Sequence, residues 1–308
     1  TSKPLVVFLV LAAQYESFAL PLNETLIHLG APSSQQVSEW AARPGKRNYL
    51  FQLGDSLYQD LEPLARLENA SRIQIQVSMF PPQDRSDSWK KLAASGVELV
   101  GMNAGVPRVD EISILNEIGF SKSNVVILGF PSQEEAARLS QLKTPSTLGF
   151  ITQTYPRFTD KEIFAAIPVS IPLYFATDYW PWYSHMDVLN LLPHSKKIRV
   201  SGSFPTDEHL AYLRNIRLLE EVTVETDFDP SDVTVWGGFG SLNIRWSSLG
   251  RVPSKQALEA FEKSASSGGK RVLIIDSDVP LTPFERALLE KSSLQVEWIH
   301  RDDWSLGR

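Results

Sequence analysis

The densest set of chemically capable side chains is Asp178-Tyr179-Trp180-Pro181-Trp182-Tyr183-Ser184-His185-Met186-Asp187, with four aromatics, two acids and a histidine in ten residues. It follows Ile171-Pro172-Leu173, which reads as a strand. On a parallel α/β scaffold, loops at the carboxyl ends of strands are where ligands bind. Aromatic faces stack on sugar rings or anchor protein partners. Tyr179, Trp180, Trp182, Tyr183 and His185 are therefore the candidate binding platform. The competing reading makes these rings the outer core over a helix–strand junction.

Polar residues close other candidate strands: Asp55, Asn103, Gln153, Asp178, Ser203, Asp227, Asp276 and Asp278. In a closed barrel they converge on one mouth. Asp178 with Asp227 is then a carboxylate pair for glycoside hydrolysis, one acid and one nucleophile or base. In an open sheet they line an edge, and the acids and serines cap the helices that follow.

Other chemistries lack their residues. The 308-residue chain has no cysteine, which removes disulfides, thiolate metal sites and cysteine nucleophiles. His28, His185, His194, His209 and His300 show no metal-ligand spacing. Gly237-Gly238-Phe239-Gly240 and Gly268-Gly269-Lys270 do not match a phosphate-binding loop, and no G-x-S-x-G elbow occurs. No metal or cofactor is implied. A net charge of −6 argues against nucleic acid as the main partner. Lys196-Lys197 with Arg199 reads as a solvated strand end, and Asn23 and Asn69 open glycosylation sequons.

The elements that must position these residues recur along the chain. Short apolar stretches begin at 73, 97, 125, 148, 171, 198, 222, 242, 272 and 294, about 24 residues apart, and most alternate apolar with polar. Leu26 to Leu29 and Tyr49 to Leu53 are earlier candidates. Leu5 to Ala13, nine apolar residues, is too short to span a bilayer. It reads as a buried strand, or, with Lys3 before it and Ser17-Phe18-Ala19 after it, as a signal-like segment. Many stretches lead into an aromatic or apolar residue, a proline and a polar helix start, as in Phe130-Pro131-Ser132 and Phe204-Pro205-Thr206. The unit is strand–turn–helix, and strands joined through helices run parallel.

Two closures use such units. Thirteen candidate strands exceed the eight staves of a β/α barrel, and alternation with Gln74, Gln76, Arg199, Thr223, Asn243 and Arg245 implies one wet face. Both features favour an open α/β solenoid or horseshoe with a parallel sheet. The alternative is an eight-stranded TIM-like barrel with extra strands.

Several units resemble leucine-rich repeats, whose pattern is L-x-x-L-x-L-x-x-N: Leu219-Glu220-Glu221-Val222-Thr223-Val224 running to Asp227, Ala70 with Ile73 and Ile75, and Phe239 with Leu242 and Ile244. The resemblance extends from about residue 50, with Ser, Asp or Met102 at the place of the asparagine that bonds backbone between turns in that family. It implies an open solenoid.

The expectation is a single repeat-built α/β domain over 1–308, with 1–45 as an N-terminal cap. Its function is non-enzymatic binding of a protein or carbohydrate through an exposed strand face and the Tyr179–Tyr183 rim loop. The alternative is a glycosidase-like barrel hydrolase using Asp178 and Asp227. The composition is that of a soluble folded chain, intracellular or exported, with no transmembrane segment.

Overall fold

The computed structural model describes residues 22–54, 60–103, 105–120, 122–143, 145–202, 204–226, 236, 238–240, 242–265, 269–277 and 279–301. Twelve parallel strands form a closed barrel: β1 (Leu22–Leu29), β2 (Arg47–Gly54), β3 (Ala70–Val77), β4 (Glu98–Asn103), β5 (Ser123–Leu128), β6 (Pro145–Ile151), β7 (Leu173–Thr177), β8 (Lys196–Ser201), β9 (Leu219–Thr226), β10 (Asn243–Leu249), β11 (Arg271–Asp276) and β12 (Gln295–Arg301). Each strand pairs with its sequence neighbours, and β12 pairs with β1 in register from Leu22↔Val296 to Ile27↔Arg301. The α-helices among the described residues are α1 (Ser34–Ala41), α2 (Ser86–Ala94), α3 (Val109–Ile118), α4 (Gln133–Leu139), α5 (Lys161–Ala165), α6 (Tyr183–Leu191), α7 (Asp207–Arg214), α8 (Lys255–Ser264) and α9 (Pro283–Glu290). None is long and apolar enough to cross a membrane.

The open solenoid or horseshoe is thus corrected to a closed ring. Twelve of the thirteen candidate strands are staves, with β7 shifted a few residues from its expected place; Leu5 to Ala13 and the signal-like alternative over residues 5–19 lie outside the described residues. The strand count excluded an eight-stave barrel but not a twelve-stave one.

Alternation also means something other than a wet face. One set of strand residues, including Leu26, Phe51, Ile75, Leu99, Phe150, Phe175, Val200, Val224, Trp246, Ile275 and Trp298, forms one buried core with the helices. The other set faces the lumen. A twelve-stranded ring is wider than the eight-stranded one that small side chains fill. Long polar side chains occupy it: Gln74, Arg199, Arg245 and Glu297 are all buried. Buried charges such as these need partners where solvent is excluded. Arg72 pairs with Glu98 and Arg199 with Glu225, while Arg245 donates to Glu297 at 2.6 Å across β11. Two small apolar clusters complete the lining, one of Val100, Val126, Tyr174 and Ala176, the other of Ile27, Leu50, Val272, Ile274 and Ile299.

The solvated reading of the basic stretch fails for the same reason. Lys196, Lys197 and Arg199 are all buried. Lys196 points to the helix side, where its ammonium donates to the carbonyls of Leu192, His194 and Arg217 at 2.8–3.0 Å. Burial pulls this amine down to about 8.

Local sequence sets the turns. Ser33, Ser132, Thr206, Ser254 and Thr282 accept a helix amide as side-chain caps. Gly129 follows β5 with φ +82 while its N–H donates to Ile151, a conformation that L side chains resist. Asparagines link successive units away from the expected repeat position: Asn116 donates to Gln141 O and accepts from Lys143 N, and Asn190 does the same with Asn215 and Arg217. Asn69 of the second sequon is committed inward, donating to Trp40 O and Arg43 O and accepting from Tyr49.

Candidate functional site

At the carboxyl ends of β6, β7 and β8 the barrel mouth holds a pocket of about 130 Å³, lined by Ile151, Thr152, Gln153, Ala176, Thr177, Asp178, Arg199 and Ser201. Strand pairing brings these residues together, because Ile151 sits opposite Ala176 and Ala176 opposite Arg199. Thr177 shapes the loop that follows β7 by donating to Tyr179 O at 2.7 Å. Gly202 ends β8 beneath that loop: a Cβ there would lie 3.1 Å from the Asp178 carbonyl. That tight contact and a φ of +128 both favour glycine here.

The pocket floor is a connected polar chain. Arg199 binds the Glu225 carboxylate, and Ser201 donates to the same oxygen at 2.8 Å. Burial works against the Arg199 charge, but Tyr174 and Glu225 outweigh it and hold the guanidinium above its ordinary value. Tyr174 lies on the inner face two residues below the Ala176 wall, and burial pushes its phenol up to about 12 against the pull of Arg199. Asp178 differs from these groups in being exposed at the pocket wall.

Of the strand-end residues, Gln153 and Asp178 share this pocket. Asp55, Ser203, Asp227 and Asp278 lie outside the described residues. Neither acid 178 nor 276 caps a helix among those described; Trp182 and Thr282 occupy the cap positions of the helices that follow. The carboxylate that β9 supplies behind the lining is Glu225. Reading the residues missed Arg199, Ser201 and Glu225, although a signal existed: Arg199 and Ser201 share one face of β8, and Ser201 sits opposite Glu225.

The aromatic loop divides. Trp180 is 2% exposed, with its indole against His209 and Trp236, so it is core. Tyr179 is partly buried against the core, in ring contact with Tyr155 and His185. His185 caps α6, its Nδ1 accepting from Trp182 N at 3.1 Å, and burial lowers its pKa. Trp182 and Tyr183 remain outside, 50% and 59% exposed.

Among the described residues no group of three or more His, Cys, Asp or Glu could hold a metal ion. No protein-family model, curated protein or solved structure matches the chain.

Proposed function

We propose that the chain is a glycosidase-like β/α-barrel hydrolase whose substrate sugar sits in the mouth pocket of β6–β8. The observation that carries this reading is the placement of Asp178: a solvent-facing carboxyl in a pocket with Gln153, Arg199 and Ser201, with the Glu225 carboxylate one hydrogen bond behind. Glycoside hydrolysis needs two carboxyl groups flanking one bond. In this reading Asp178 is the acid facing the leaving oxygen, and Glu225, held behind the lining by Arg199 and Ser201, is the second carboxylate. Gln153 and Ser201 supply hydrogen-bonding groups for sugar hydroxyls.

A panel of aryl glycosides tests this. Wild type should turn over at least one member, and Asp178→Asn should lose that activity at least about a hundredfold with an unchanged melting temperature. Full activity in Asp178→Asn, or no turnover by wild type on any member, overturns the hydrolase.

The exposure of Trp182 and Tyr183 supports a second reading, a carbohydrate- or protein-binding module without turnover. The rim loop alone would carry it, because the alternating polar strand face lines the closed lumen. Saccharide binding without hydrolysis would favour it.

A further inference from the structure

The mouth pocket is small. About 130 Å³ is room for roughly one sugar ring and falls below the range usual for drug-sized ligands. Two loops leave it side by side. One runs from Asp178 to Trp182 and Tyr183 at the start of α6; the other leaves β8 at Ser201 and Gly202, and its residues 204–206 lead into His209 in the first turn of α7. They approach at the pocket end, where Gly202 passes beneath the Asp178 carbonyl. They meet again at the outer end, where the Trp182 ring stands edge-on to His209 with centroids 4.9 Å apart. Tyr183 makes the next contact outward, with Tyr212 of α7 at 6.2 Å.

The outer end is anchored to the core as well as exposed. His209 caps α7, its Nδ1 accepting from Thr206 N, and its other face lies along the buried Trp180. Trp182 therefore rests on the core through His209, so a ligand laid on it need not order a mobile side chain. Trp182 stands four positions after Asp178, a reach of at most about 14 Å. The exposed ring thus lies within a few sugar lengths of the pocket.

We propose that Trp182 and Tyr183 form a stacking strip for sugar units adjoining the one in the pocket, so that the substrate is an oligosaccharide or polysaccharide rather than a single sugar. This rests on the hydrolase reading and names its substrate class. Arg199 on the lining is paired with Glu225 behind it, which leaves Asp178 as the exposed charge of the pocket and favours a neutral chain over an acidic one.

The test measures binding against chain length by titration calorimetry on the full chain. The probes are three neutral series of one to five units: β-1,4-linked glucose, α-1,4-linked glucose and β-1,4-linked N-acetylglucosamine. In one series wild-type affinity should rise at least tenfold from one unit to four. Trp182→Ala should lose most of that rise and keep the one-unit affinity, while Trp182→Phe, which retains a ring, should keep part of it. Affinity independent of length, or a rise that survives in Trp182→Ala, overturns the strip. Length-dependent binding without hydrolysis leaves the strip standing and overturns the hydrolase; turnover with flat length dependence does the reverse. No binding in any series overturns the strip, and with no turnover on the aryl glycoside panel it overturns the hydrolase as well.

Discussion

His300 Nε2 lies 2.8 Å from Glu24 Oε1, joining the last described strand to the first across 276 residues. The pair sits at the seam where β12 meets β1, and Arg47 of β2 reaches the other Glu24 oxygen at 3.3 Å. Trp298 stacks on His300 at 4.2 Å, with Arg286 of α9 over the indole. Burial alone would raise the Glu24 pKa. The His300 hydrogen bond, with the charges of Arg47, His300 and Arg286, outweighs it and leaves that pKa below the ordinary value.

A depressed carboxylate contributes stability that is complete above its unfolded value, near 4.3, and is lost as pH falls through the folded value. Glu24→Gln should therefore cost about 1.5–3 kcal/mol at pH 7, and the gap to wild type should close below about pH 4. Urea unfolding at pH 7, 5 and 3.5 reads this. A gap that persists unchanged at pH 3.5 would show that the Glu24 charge does not hold the seam.

Lys196 has the opposite sign. Its buried amine, pulled down to about 8, is disfavoured in the folded state while charged. Wild-type stability relative to Lys196→Met should become more positive as pH rises from 7.5 to 9.5, because the unfolded lysine keeps its proton to about 10.4. Melting temperatures of both proteins across that range check it. Parallel curves would mean that the amine titrates normally.

In the lumen, Arg245 and Glu297 are each almost wholly buried, and Glu221 stands 4.0 Å from the same guanidinium. Removing one partner of a buried pair leaves the other charge uncompensated, so Glu297→Gln should cost about 3–5 kcal/mol. Replacing both, with Arg245→Met and Glu297→Leu, should cost less than the single change. A double variant less stable than Glu297→Gln would mean that the lumen needs charge here for more than pairing.

Trp180 and Trp182 stand two residues apart and should respond differently. Trp180→Ala empties a fully packed site and should cost about 3–5 kcal/mol. Trp182→Ala should stay within about 0.5 kcal/mol. Denaturant midpoints of the two variants decide it, and equal losses would contradict the division of this loop into core and rim.

These contrasts show how far residue patterns carried. β3 is legible because Ile73, Ile75 and Val77 alternate with Gln74 and Gln76, and β8 because Ile198 and Val200 alternate with Lys197 and Arg199. What alternation does not encode is what the polar face meets. Arg199 looks the same in sequence whether it faces water or Glu225, and closure, a relation between residues 24 and 300, has no local signature. Asp178 was legible from its place after a strand, whereas its pocket partners Arg199 and Ser201 became visible only once β7 and β8 were in register.

Closure places the strand ends around one mouth and buries the polar face, so the distance across the seam is the most direct test. The chain has no cysteine, so Glu39→Cys on α1 and Ala287→Cys on α9, both exposed, can be spin-labelled without background. In the closed ring the two helices flank one seam, and helix spacings of 8–10 Å put the labels within about 30 Å of each other. Twelve strands opened into a sheet have eleven gaps and span about 50–55 Å. A double electron–electron resonance distance below about 30 Å is the expected result, and a distribution centred at 45 Å or more would contradict the closed barrel.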